Sequence, residues 1–90
     1  MNRIHVFVSG IVQGVAFRYF AIRKAKELGI TGWVKNLLSG KVEIIAEGED
    51  WKLKEFIKDI KMGPPAATVT GVEAKEEEFK NEFKIFEVRF

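Results

Sequence analysis

The 90-residue sequence contains no cysteine, which excludes a disulfide framework, a thiolate metal site and a cysteine nucleophile. Histidine occurs once, as His5; in the middle of a strand pattern it reads as a surface or sheet-face residue. Serine occurs only as Ser9 and Ser39, neither in the strand–turn–helix setting of a nucleophile elbow. The two aspartates, Asp50 and Asp59, lie on or beside one helical segment, so they form no paired metal cluster and no nucleophile at a strand end. The only carboxylate run is Glu76-Glu77-Glu78, which reads as a solvated acidic turn. No uncharged stretch approaches the roughly 20 residues needed to cross a bilayer, and Arg3 and His5 interrupt any signal-like start. The expectation is a soluble, cytoplasmic protein with no metal and no cofactor, lacking the parts for covalent or metal-assisted hydrolysis.

What the sequence does contain is apolar material, 47% hydrophobic residues with 11 aromatics. In a chain of this length that is expected to build one core and one domain over residues 1–90. The 15 basic and 13 acidic residues give a net charge of +2. Because the two signs are interleaved, this makes a weak case for a nucleic-acid partner. Eleven Glu and eleven Lys against two Asp is the bias found in heat-adapted proteins.

Periodicity supplies the architecture. Ile4, Val6 and Val8 alternate with Arg3, His5, Phe7 and Ser9 as in a strand with one covered face. From Phe17 the spacing becomes helical, with Phe17, Phe20 or Ala21, Ala25 and Leu28 on one side and Gly29 placed as a left-handed C-terminal cap. A second strand spans about Ile30 to Leu37, and Ser39-Gly40 turns it into a third carrying Val42, Ile44 and Ala46. Asp50 is expected to cap a second helix with Leu53, Phe56, Ile57 and Ile60 on its apolar face; Gly63-Pro64-Pro65 stops it. Two strands near Thr68–Lys75 and Lys84–Arg89 complete the order β-α-β-β-α-β-β. That order contains the split β-α-β unit and predicts an α+β, ferredoxin-like sandwich, two helices on one face of a mostly antiparallel sheet.

One segment is suited to holding an anion. Gly10 and Gly14 bracket the bend from the first strand into the first helix, and glycine admits the positive φ that lets successive amides converge. The N–H groups of Gln13, Gly14, Val15, Ala16, Phe17 and Arg18 lead into a helix N-terminus with its favourable dipole. Arg18 adds a planar fork of donors matched to phosphate oxygens. The first and second strands of a split β-α-β unit run the same way, so Asn36, at the end of the second, can lie beside whatever the bend holds. Its neutral amide both donates and accepts, which suits orienting a water molecule. Read in isolation, Arg18 is equally a surface helix residue and Asn36 a turn residue.

Gly10-Ile11-Val12-Gln13-Gly14-Val15-Ala16-Phe17-Arg18 resembles the first signature of the acylphosphatases, and Gly32-Trp33-Val34-Lys35-Asn36 is similar to the second. Further likeness runs through Gly40-Lys41-Val42-Glu43, Gly63-Pro64-Pro65 and Phe86-Glu87-Val88-Arg89-Phe90, spanning essentially the whole chain. Two departures stand out. Ala16 is smaller than the residue often found there, and Phe90 replaces a frequent tyrosine. The resemblance implies a fifth strand added at an edge of the sheet. It also implies hydrolysis of small acyl phosphates without a metal or a covalent intermediate, with Arg18 binding phosphate, Asn36 positioning water and the amides of residues 13–18 forming the cradle. A monomer is expected. Because the chain ends with the domain, a free-standing enzyme is expected rather than a module of a larger maturation protein. The rival reading is an RNA-binding sheet, since Gly14 to Phe20 looks superficially like a glycine/aromatic base-stacking motif. That motif must lie on a strand, whereas here it runs from a loop into a helix.

Overall fold

The computed structural model describes residues 1–90 in the order β1 (Asn2–Ile11), α1 (Phe17–Leu28), β2 (Thr31–Asn36), β3 (Val42–Gly48), α2 (Asp50–Met62), β4 (Thr68–Glu77) and β5 (Phe86–Arg89). The five strands form one sheet in the order β4-β1-β3-β2-β5. Three neighbouring pairs are antiparallel, and β2 with β5 is parallel. The α+β sandwich expected from the sequence is the fold observed.

Alternation along the strands decides which face the helices cover. Val6 and Val34 both stand opposite Ile44 in register, so three branched side chains line up across the middle of the sheet. On them α1 lays Phe17, Ala21 and Ala25, and α2 lays Leu53, Phe56 and Ile60, all buried. Sixteen buried residues form one continuous core, and each large side chain in it is worth about 1.5–3 kcal/mol of burial. Phe20 and Leu28 are only half-buried, at the edge of the helix face. Gly29 ends α1 at φ 70°, its amide donating to Lys26 O and that of Ile30 to Ala25 O, the left-handed cap the sequence predicts.

Three local expectations are corrected. Asp50 is the first residue of α2 and Glu49 its N-cap. The Asp50 carboxylate accepts from Asn2 Nδ2 at 3.0 Å and pairs with Lys54 one turn along at 3.0 Å, so it serves the helix by charge and by tying down β1. Its carboxyl is held below the usual range, chiefly by the Lys54 hydrogen bond. Gly10 belongs to β1, where the pairing with β4 slips between Ser9 and Gly10. Its φ of 121° and the Thr68 carbonyl oxygen, 2.0 Å from where a Cβ would stand, show that this glycine serves a bulge and a close strand approach. The bend between β1 and α1 is therefore shorter than the bracketing glycines suggest, residues 12–16.

The third correction concerns the acidic run. Glu76 and Glu77 are the last residues of β4, and the segment after them folds back over the sheet face opposite the helices. Glu47, buried on that face, accepts the amides of Lys80 at 2.9 Å and Glu82 at 3.0 Å. Arg3, also buried, reaches Glu82 at 2.7 Å, Glu77 at 3.0 Å and Glu47 at 3.4 Å. His5 sits on the same face between Glu43 and Glu77, at 2.6 and 3.0 Å, a sheet-face histidine as its place in the strand pattern implies.

Burial alone would raise the Glu47 carboxyl. The Lys80 and Glu82 amides and Arg3 outweigh it and hold the group below the usual carboxylate range. Glu77 is lowered too, mainly by its hydrogen bond from Arg3. A depressed carboxyl contributes stability that is complete above its unfolded value, about 4.3 for Glu, and lost as pH falls through the folded value. The melting temperature should therefore be flat from neutrality to about pH 5 and fall at more acid pH. Glu47→Ala should cost about 3 kcal/mol, the scale of breaking a buried ion pair. In a chain of this size that lowers Tm by more than about 10 °C. Thermal melts of wild type and Glu47→Ala between pH 3 and 7 test both statements; equal stability at pH 7 would show that Glu47 does not anchor the returning segment.

Candidate active site

Because β1 and β2 are both antiparallel to β3, they run in the same direction, and β5 runs parallel to β2. Their C-terminal ends lie at one edge of the sheet, bringing the 12–16 bend, Asn36 and Phe90 together. They surround a cavity of about 490 Å³ lined by Gly14, Ala16, Arg18 and Asn36 with a mainly apolar remainder.

The bend achieves its shape with Gly14 at φ 73° and Ala16 at φ 61°, both left-handed. A non-glycine residue pays strain to adopt that conformation, and Ala16 does so as the N-cap of α1. The sequence shows Ala16 as a small residue and an amide donor; its left-handed backbone is visible in the fold alone. The consequence is a run of unused donors. The amides of residues 13–19 donate to no acceptor in the protein, and the only backbone bond to the bend is from Phe20 N to Ala16 O. The start of α1 has neither a side-chain cap nor an acidic residue in its first turn, whereas α2 begins with Asp50. The positive end of the α1 dipole is thus left uncompensated by the chain, a setting that favours an anion.

Arg18 stands one residue into α1 and lines the cavity. It takes part in none of the protein's ion pairs. Its guanidinium lies 5.3 Å from the centre of the Phe90 ring, a cation–π contact that leaves its forked donors available. Asn36 ends β2, paired in register with Val42. Its Oδ1 is buried and has no hydrogen-bond partner, although such an atom costs about 1–3 kcal/mol. Buried polar atoms are rarely left in this state.

Both predicted side chains and the predicted loop thus meet at one cavity. Several wall residues escape sequence reading: Tyr19 and Ile22 in the first two turns of α1, Val12 at the start of the bend, and Val88 and Phe90 at the end of the chain. Only the parallel docking of β5 beside β2 could reveal the last two. Tyr19 and Phe90 are largely exposed, at 79% and 94%, and form an aromatic rim.

The family model described as Acylphosphatase matches residues 4–88. A curated acylphosphatase of Archaeoglobus fulgidus is 52% identical over 90 residues, the whole of both chains. The crystal structure of acylphosphatase from Bacillus subtilis superposes with a TM-score of 0.97 at 37% identity, covering 100% of each chain. An acylphosphatase structure from Coxiella burnetii gives 0.93 at 44% identity, covering 98% of this chain and 92% of that one. A match that runs from the first strand to the last, in sequence as in fold, leaves one assignment: the chain belongs to the acylphosphatase family of hydrolases.

Proposed function

We infer that the protein hydrolyses the carboxyl–phosphate bond of small acyl phosphates, with Arg18 and the amides of residues 13–18 holding the phosphoryl group and Asn36 orienting the attacking water. The observation that carries this reading is the conjunction at one cavity of unused amide donors, an arginine without an acidic partner and Asn36, whose carboxamide oxygen is buried and unpartnered.

The chemistry needs little more. Water attacks phosphorus, the bond from phosphorus to the acyl oxygen breaks, and the carboxylate departs with the electron pair. A carboxylate leaves readily, so no strong general acid is required. The loose transition state spreads charge over three equatorial oxygens, where pre-placed amides and a guanidinium stabilise it. The Asn36 carboxamide, which can both donate and accept, hydrogen-bonds the water and holds it in line with phosphorus. The water's proton passes to a phosphoryl oxygen, giving carboxylate and inorganic phosphate, with no covalent enzyme intermediate and no metal. The apolar wall of Val12, Ile22 and Val88 is where the acyl group rests. We read residues 1–90 as a single domain acting as a cytoplasmic monomer without a nucleic-acid partner; the Lys- and Glu-rich, Asp-poor surface fits adaptation to heat.

Hydrolysis of acetyl phosphate and an aryl acyl phosphate, measured in excess chelator, tests the reading. Turnover should persist with chelator present. Silence toward every acyl phosphate, with salt-sensitive RNA binding in its place, would transfer the protein to the rival class.

A further inference from the structure

The side chain of Gln13 spans the gap between the anion-holding bend and the hairpin that carries Asn36. Its Nε2 donates to Leu37 O at 2.7 Å and to Lys41 O at 2.9 Å. Those carbonyls are the ones that close the β2–β3 turn: Leu37 N donates to Lys41 O at 2.9 Å and Gly40 N to Leu37 O at 3.1 Å. Each carbonyl therefore uses its second lone pair on Gln13, and both amide protons of Gln13 are consumed. This is the only side-chain hydrogen bonding between the bend and the hairpin. Leu37 directly follows Asn36, whose Oδ1 has no bond of its own to fix it.

We propose that the Gln13 side chain is a positioning residue, a two-pronged clamp that sets the Asn36 carboxamide relative to the phosphate cradle. The proposal rests on the functional reading above. The β1–β3 pairing stops at Val8 and Val42, so beyond it the bend and the β2–β3 turn are joined by Gln13 alone among side-chain hydrogen bonds. A misplacement of the order of 1 Å between attacking water and phosphorus is enough to cost about a hundredfold. The clamp acts on the angle of attack, so it should govern turnover more than binding.

Two variants separate this from ordinary structural support. Gln13→Met keeps length and removes both donors. It should lower kcat about tenfold while the inhibition constant of inorganic phosphate stays within about threefold, short of the full loss that misplacement permits because the hairpin still holds itself. Introduced into Asn36→Ala, the same change should cost less than twofold, since the group it positions is gone. Gln13→Glu sets an acceptor-only carboxylate against two carbonyls. Protonation restores one O–H donor, so its kcat relative to wild type should recover as pH falls. Thermal melts of each variant verify folding, and a 15N spectrum reads the response of the Asn36 side-chain amide to inorganic phosphate. In Gln13→Met that response should be lost while the Gly14 amide still responds.

Normal kcat in Gln13→Met, full additivity with Asn36→Ala, or an Asn36 response to phosphate unchanged by Gln13→Met would each overturn the clamp. Failure of the wild type to hydrolyse any acyl phosphate would instead strike the functional reading, and the phosphate-titrated spectra would still decide whether Gln13 sets Asn36.

Discussion

Arg18→Gln should lower kcat/KM for an acyl phosphate by 10²–10³, about 2.7–4 kcal/mol of transition-state stabilisation. The loss belongs to both binding and turnover, because the guanidinium meets the phosphoryl group in the ground state and meets more charge as the bond to the acyl oxygen loosens. Stability should barely change. Arg18 takes part in no ion pair, and its contact with the Phe90 ring is worth only about 0.5–1 kcal/mol at an exposed site. Steady-state kinetics, phosphate inhibition and a thermal melt on the same preparation check this. A variant that melts with the wild type yet hydrolyses normally would remove Arg18 from the site; one that loses activity only because it unfolds would make Arg18 structural. Arg18→Lys should be intermediate, since it keeps the charge and loses the fork.

Asn36→Ala has a different signature. It should reduce kcat by about 10², the scale of losing near-attack positioning, with little change in phosphate inhibition, because the proposed cradle comprises residues 13–18. Its effect on stability should run the other way. Asn36 Oδ1 is buried without a partner, a condition that costs about 1–3 kcal/mol. Deleting it should leave Tm unchanged or raise it, the trade between activity and stability common at functional sites. Normal turnover in Asn36→Ala would refute the water-positioning role. A large fall in Tm would mean that the side chain holds the β2 terminus together.

The residues that periodicity could reach were legible in advance. Val6, Ile44, Phe17, Ala25 and Phe56 declare their faces by spacing of two or of three and four, because one buried face is the only way a short chain hides them. The Gly29 cap and the Gly63-Pro64-Pro65 stop follow from backbone geometry that few residues permit. Gln13 to Arg18 and Asn36 could be singled out because amides, a guanidinium and a carboxamide at strand ends have a recognisable chemistry. Less accessible was anything that depends on which distant carbonyl or carboxylate arrives. Gly10 reads the same in a loop as in a bulge, and only Thr68 O across the strand pair distinguishes them. Asp50 reads as a cap until Lys54 and Asn2 claim it.

By itself, then, the sequence determined the element order, the covered face of the sheet and the edge at which the candidate site residues gather, since each follows from local spacing and from the handedness and direction of a split β-α-β unit. Tertiary structure alone decided the left-handed strain at Ala16, the burial of Arg3 and Glu47 beneath the segment after β4, the apolar wall that β5 completes and the Gln13 bridge to the β2–β3 turn. Those features join residues tens of positions apart. Their energies come from desolvation and from lone pairs that find donors only after the sheet has closed, and no local pattern records which partners those will be.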